Sequence, residues 1–114
     1  MKTDLNYIKT MSGDNKELIC EMIDIFNDQV IEFSAEMQKL LDNKDYETLG
    51  KLAHKAKSSV AIMGMNDLAK KMKKLELDTK YLSNLNSYQG IINTFKSECA
   101  EAVKELKEYQ NQLN

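Results

Sequence analysis

The chain has no proline, no tryptophan and no arginine, only four glycines and two cysteines, and a single histidine among its 114 residues. Without proline and with little glycine, few positions interrupt runs of Leu, Lys, Glu, Met and Ala, side chains that lose little freedom in a helix. An all-α protein is expected. No stretch approaches the roughly 18 uninterrupted apolar residues needed to cross a bilayer. The opening Met1-Lys2-Thr3-Asp4-Leu5-Asn6 lacks the apolar block and small-residue cleavage site of a secretory signal. A cytoplasmic protein with no membrane partner is the expectation. Cys20 and Cys99 fall at apolar helical positions without a CxxC partner, so they read as buried free thiols.

What is present fits one compact domain spanning residues 1–114, with 42% hydrophobic and 30% charged residues. A short segment carries Leu5, Ile8 and Met11. The stretch after it, Ser12-Gly13-Asp14-Asn15-Lys16-Glu17, reads as a break with Asp14 as N-cap and Glu17 at N3. Leu18, Met22, Ile25, Phe26, Phe33, Met37, Leu40 and Leu41 then recur at intervals of three and four, predicting a long helix with that stripe inward. Asp42-Asn43-Lys44-Asp45 supplies a turn.

The next helix, about Tyr46 to Met63, carries Leu49, Leu52, Ala53, Ala56, Val60 and Met63 on one side. Gly64 reads as a C-cap, and Asn66 with Asp67 as the cap of the following helix, which uses Leu68, Met72 and Leu75 and fades near Tyr81. After a loop at Ser83–Ser87, Ile91, Ile92, Phe95, Cys99, Val103 and Leu106 define a last helix. Short connections predict an antiparallel up-down four-helix bundle with a short extra N-terminal helix. No unbroken heptad seam suggests pairing, so a monomer is expected.

The single histidine, His54, stands in Leu52-Ala53-His54-Lys55-Ala56-Lys57-Ser58-Ser59. On a wheel of about 100° per residue it lies roughly 150° from the centre of the apolar sector, facing away from the core. Ser58 and Ala61 follow on the same face, so a partner can approach closely, and Lys57 at i+3 can reach a group attached to the ring. Between Lys51 and Lys74 seven lysines stand against one acid, Asp67, a local balance near +6 in a chain whose net charge is −2. Nucleic acid is a poor match for this patch, given an isoelectric point near 5.4, no arginine and no aromatic residues among the lysines. An acidic protein surface is a better one.

Ala53-His54-Lys55-Ala56-Lys57-Ser58-Ser59-Val60-Ala61-Ile62-Met63-Gly64-Met65, with Leu68 and Leu75-Glu76 beyond, resembles the signature of histidine-containing phosphotransfer (HPt) domains of two-component phosphorelays. The likeness extends to Phe26 and Asp45. It implies a phosphorelay intermediate in which His54 accepts a phosphoryl group from a receiver-domain aspartate and passes it to a response-regulator aspartate. Lys57, with Lys55, would offset charge on the moving group, and Glu76 would accept from Nδ1 and leave Nε2 as nucleophile. Ser58, Ala61 and Gly64 would shape the approach. Where the family usually has glycine this chain has Ser58, which keeps most of the room and adds a hydroxyl able to donate to phosphoryl oxygens.

The implied partners are the receiver domain of a hybrid sensor kinase, a response regulator, or both, with Mg2+ expected on the receiver and no cofactor in this chain. No glycine-rich nucleotide loop and no GxxxxGK[ST] sequence is present, so the chain reads as a carrier rather than an ATP-using enzyme, either free-standing or as a domain of a hybrid histidine kinase. Ile8, Met11, Ile62 and Met65 are candidate apolar contacts for the receiver. A helical interaction module that is never phosphorylated is the alternative. A metal-binding or hydrolytic bundle fits less well, because the Glu-x-x-His spacing of di-iron bundles is missing.

Overall fold

Five α-helices and one 3₁₀ turn make up the computed structural model, which describes residues 2–113. They are α1 (Asn6–Ser12), α2 (Lys16–Asp42), α3 (Tyr46–Ile62), α4 (Asn66–Tyr81), the 3₁₀ turn (Leu85–Ser87) and α5 (Tyr88–Leu113). No strand occurs among the described residues. α2 packs against α3 and α5, α4 packs against α3 and α5, and α1 lies on α2, giving a rod of about 45 × 21 × 20 Å.

The core runs through all five helices, with Ile8, Ile23, Met37, Leu49, Ala53, Met72, Leu75, Ile92, Phe95 and Leu106 wholly buried. Two expectations about packing are corrected. Ile19, Ile23, Phe26 and Val30 form the inward face of α2, whereas Leu18 and Ile25 of the expected stripe are exposed. Cys99 is buried as expected, but Cys20 is only half-buried. Burial pushes the Cys99 thiol up to about 12, helped by Glu98 beside it.

The helix starts also differ from their reading. α2 is capped by Asn15, whose side chain accepts from the Leu18 amide at 3.1 Å. Asp14 instead follows Gly13 into left-handed backbone, with φ of 61° and 62°, and its amide closes α1 onto the Lys9 carbonyl. Asp45 caps α3 through the Thr48 amide at 3.2 Å. α4 has Met65, not Asn66 or Asp67, at its N-cap position and no capping side chain. Met65 is buried and its amide bonds the Val60 carbonyl at 3.0 Å, so closure of α3 sets the entry of α4.

Gly64, at φ +75°, sits inside that closure and beneath the N-terminal strap. The Asp4 amide donates to the Met63 carbonyl at 2.9 Å, and a Cβ on Gly64 would meet the Asp4 backbone oxygen at 2.5 Å. Strap and left-handed backbone both demand glycine here.

Candidate functional site

α3 and α4 come close because Gly50 has no side chain. A Cβ there would meet Thr79 Oγ1 at 2.4 Å. That hydroxyl turns back on its own helix, bonding the Leu75 and Glu76 carbonyls at 2.9 Å each. Buried Ala53 and Ala56 on α3 and buried Leu75 on α4 fix the rotation of the two helices. One consequence is that residues beside these anchors, His54, Lys57 and Glu76, meet at the outer edge of the contact.

Glu76 Oε2 lies 2.8 Å from His54 Nδ1, and Glu76 Oε1 lies 3.4 Å from Lys57 Nζ. The His54 side chain is 59% exposed and that of Glu76 30%. A carboxylate has no proton to give at neutral pH, so the short contact requires Nδ1–H to donate to it. In the neutral ring this leaves the Nε2 lone pair bare on the opposite side. One oxygen of Glu76 therefore sets the tautomer while the other takes a cation.

Of the other residues singled out from the sequence, Lys55, Ser58 and Ala61 are exposed on α3, Ser58 one turn and Ala61 two turns beyond His54. Ser58 opens onto a groove between α2 and α3, shared with Met22, Ile25, Phe26, Gln29 and Ile62. Gly64 is not at the site: it lies past the end of α3, more than two helical turns, or about 12 Å or more along the axis, from His54. Its place in the signature follows from the strap. Two of the proposed apolar contacts, Ile8 and Met65, are corrected, since both belong to the core, while Met11 and Ile62 are exposed.

Sequence reasoning missed Gly50 and the exposed pair Leu18 and Ile25. The signal for the pair is present, because Leu18, Met22, Ile25 and Gln29 share one stripe of α2, but periodicity alone reads the apolar part of that stripe as core. Among the described residues no three His, Cys, Asp or Glu side chains gather as a metal site would require. No described helix is long and apolar enough to cross a membrane.

A comparison with known families matches the greater part of the chain. The Hpt domain family covers residues 21–102, from α2 through most of α5, and includes His54, Lys57 and Glu76. The chain belongs to the Hpt domain family. No curated protein and no solved structure gave a match. Hpt domains serve phosphotransfer in two-component systems as phosphocarriers without an ATP site of their own. They interact with receiver domains in doing so.

Proposed function

We propose that His54 of this Hpt domain takes a phosphoryl group from the aspartyl phosphate of a receiver domain and passes it to the aspartate of a response regulator. The observation that carries this reading is the 2.8 Å contact between His54 Nδ1 and Glu76 Oε2 beneath an exposed ring. Nε2 attacks phosphorus, the N–P bond forms, and the acyl-phosphate O–P bond breaks to release the receiver carboxylate. Because the Nδ1 proton stays on the ring, the phosphorylated imidazole carries positive charge, which the Glu76 carboxylate offsets. The same proton keeps the ring a good leaving group for the onward step. Lys57, drawn from Glu76, and Lys55 offset charge on the phosphoryl oxygens. Ser58, exposed one turn further along α3, would donate its hydroxyl to them.

The reading includes Mg2+ on the receiver, none on this chain, and a monomeric carrier whose four long helices form an up-down bundle. The receiver is assigned to the α2–α3 groove. There Ile25, 58% exposed, and Ile62 at the rim offer apolar contacts beside Ser58, and Leu18 extends the stripe along α2.

The test mixes purified protein with a phosphorylated receiver. Acid-labile label on the wild type, and none on a folded His54→Gln variant, is the expected result. A wild type that stays unlabelled across a panel of receivers overturns the reading.

A further inference from the structure

The α2–α3 groove is not the only concavity along α3. On the Glu76 side of the ring, a depression of about 610 Å³ runs between α3 and α4, lined by Tyr46, Gly50, His54, Lys55, Thr79 and Lys80 among others. That volume is typical of small-molecule sites, which are apolar with a few convergent polar groups. The Gly50–Thr79 and His54–Glu76 contacts show the two helices running in opposite directions, so the groove has two distinct ends. His54, Lys55 and Glu76 stand at one, Tyr46 and Lys80 at the other.

Its charges are unevenly satisfied. Lys51 pairs with Glu47 at 3.6 Å, and Glu76 is taken by His54 and Lys57. Lys55 on one wall and Lys80 on the other have no carboxylate within ion-pair distance among the described residues, although Lys80 lies over the Tyr81 ring at 5.5 Å. An apolar floor between two unpaired cations suits an apolar body with an anionic head.

We infer that the α3–α4 groove binds a small anionic amphiphile, a carboxylate or phosphate monoester on an apolar chain or ring. Its anion is held by Lys55 or Lys80 and its body lies over Tyr46 and Gly50. Such a ligand covers the Glu76 side of the imidazole and leaves the Ser58 side open. Binding itself does not require His54 to be a phosphoryl acceptor. Any effect of the ligand on transfer rests on the function proposed above.

The test titrates decanoate, below its micellar concentration, into the unphosphorylated protein and follows backbone amide NMR shifts. Saturable shifts centred on Gly50, Lys55 and Thr79 are expected, weakened about fivefold or more in a Lys55→Gln/Lys80→Gln variant. Decyltrimethylammonium, the cationic counterpart, is expected to leave these amides unshifted. Absence of saturable shifts overturns the inference, as do equal shifts with the cation or an unchanged affinity in the double variant. Vesicles of phosphatidylglycerol form a further arm. Lysine-dependent binding to vesicles without groove shifts from decanoate assigns the surface to a membrane and likewise overturns it.

Discussion

Two carboxylates stand two residues apart on α4 and do opposite things. Asp78 is buried at the α4–α5 turn. It accepts from Lys74, from Ser83 Oγ at 3.2 Å and from Asn84 Nδ2 at 3.2 Å, while its backbone carbonyl accepts from Tyr88 at 2.8 Å and from the Ser83 amide at 2.9 Å. The Lys74 ammonium holds its carboxyl below the usual range, against the opposing effect of burial. Glu76, about 200° around the helix, is half-buried and bonded to two side chains that can both move. A carboxylate enclosed by donors fixes a turn; one shared by an imidazole and a lysine leaves its partners free for chemistry. Stability should therefore follow Asp78 and transfer should follow Glu76.

The largest expected effect lies on the Asp78 side. Tyr88 is wholly buried, meets Tyr46 edge-on with ring centroids 5.7 Å apart, and donates its hydroxyl to the Asp78 and Ser83 carbonyls. Burial with Asp78 nearby pushes that hydroxyl's pKa up, so it remains a donor through neutral pH. Tyr88→Ala is expected to cost about 3–5 kcal/mol in urea unfolding, with transfer per folded molecule unchanged. A transfer rate that falls while the bundle is still folded breaks the separation between the two regions.

Asp78→Asn comes next, at about 1–2 kcal/mol near pH 7. Because the folded pKa is lowered, the stabilisation is fully present above the unfolded value of about 3.8 and is lost as pH falls through the lower folded value. Wild-type and variant unfolding midpoints, compared from pH 7 to 2, should converge below about pH 3.8. A gap that persists to pH 2 traces the cost to shape rather than charge.

On the other side, Glu76→Ala should leave stability within about 0.5 kcal/mol. It should slow single-turnover transfer from a phosphorylated receiver by about tenfold or more, the worth of one charge-assisted hydrogen bond. An unchanged rate removes Glu76 from the site.

The contrast between these carboxylates was only half legible in the sequence. His54 was placed on the open face by helical spacing alone, and the helix breaks at Asp42–Asp45 and Gly64 were marked by turn residues. Glu76 came from a family resemblance, because nothing local distinguishes it from any solvated glutamate. Asp78 carries no burial signal at all: it lies among lysines and becomes a fixture only when the next turn folds over it. Asp14 and Asn15 are equally able caps, and the choice fell to Asn15 once Gly13 and Asp14 took left-handed backbone to close α1. Leu18 and Ile25 looked like core because an apolar stripe does not say which of its edges a neighbour covers. Gly50 was silent for the same reason, since its need for no side chain depends on Thr79 of another helix.

The smallest effect tests how Lys57 divides its role. Its ammonium is 3.4 Å from Glu76 and its side chain 27% exposed, so the resting ion pair is worth under about 1 kcal/mol. Lys57→Met is expected to slow transfer about threefold. If Lys57 acted only by orienting Glu76, the variant would change nothing once Glu76 is already alanine. If it leaves Glu76 to meet the phosphoryl oxygens, its effect persists there, and the two losses multiply in the double variant. Multiplication is the expected outcome, because Glu76 engages the ring nitrogen that stays protonated while Lys57 is drawn to charge arriving at the other one.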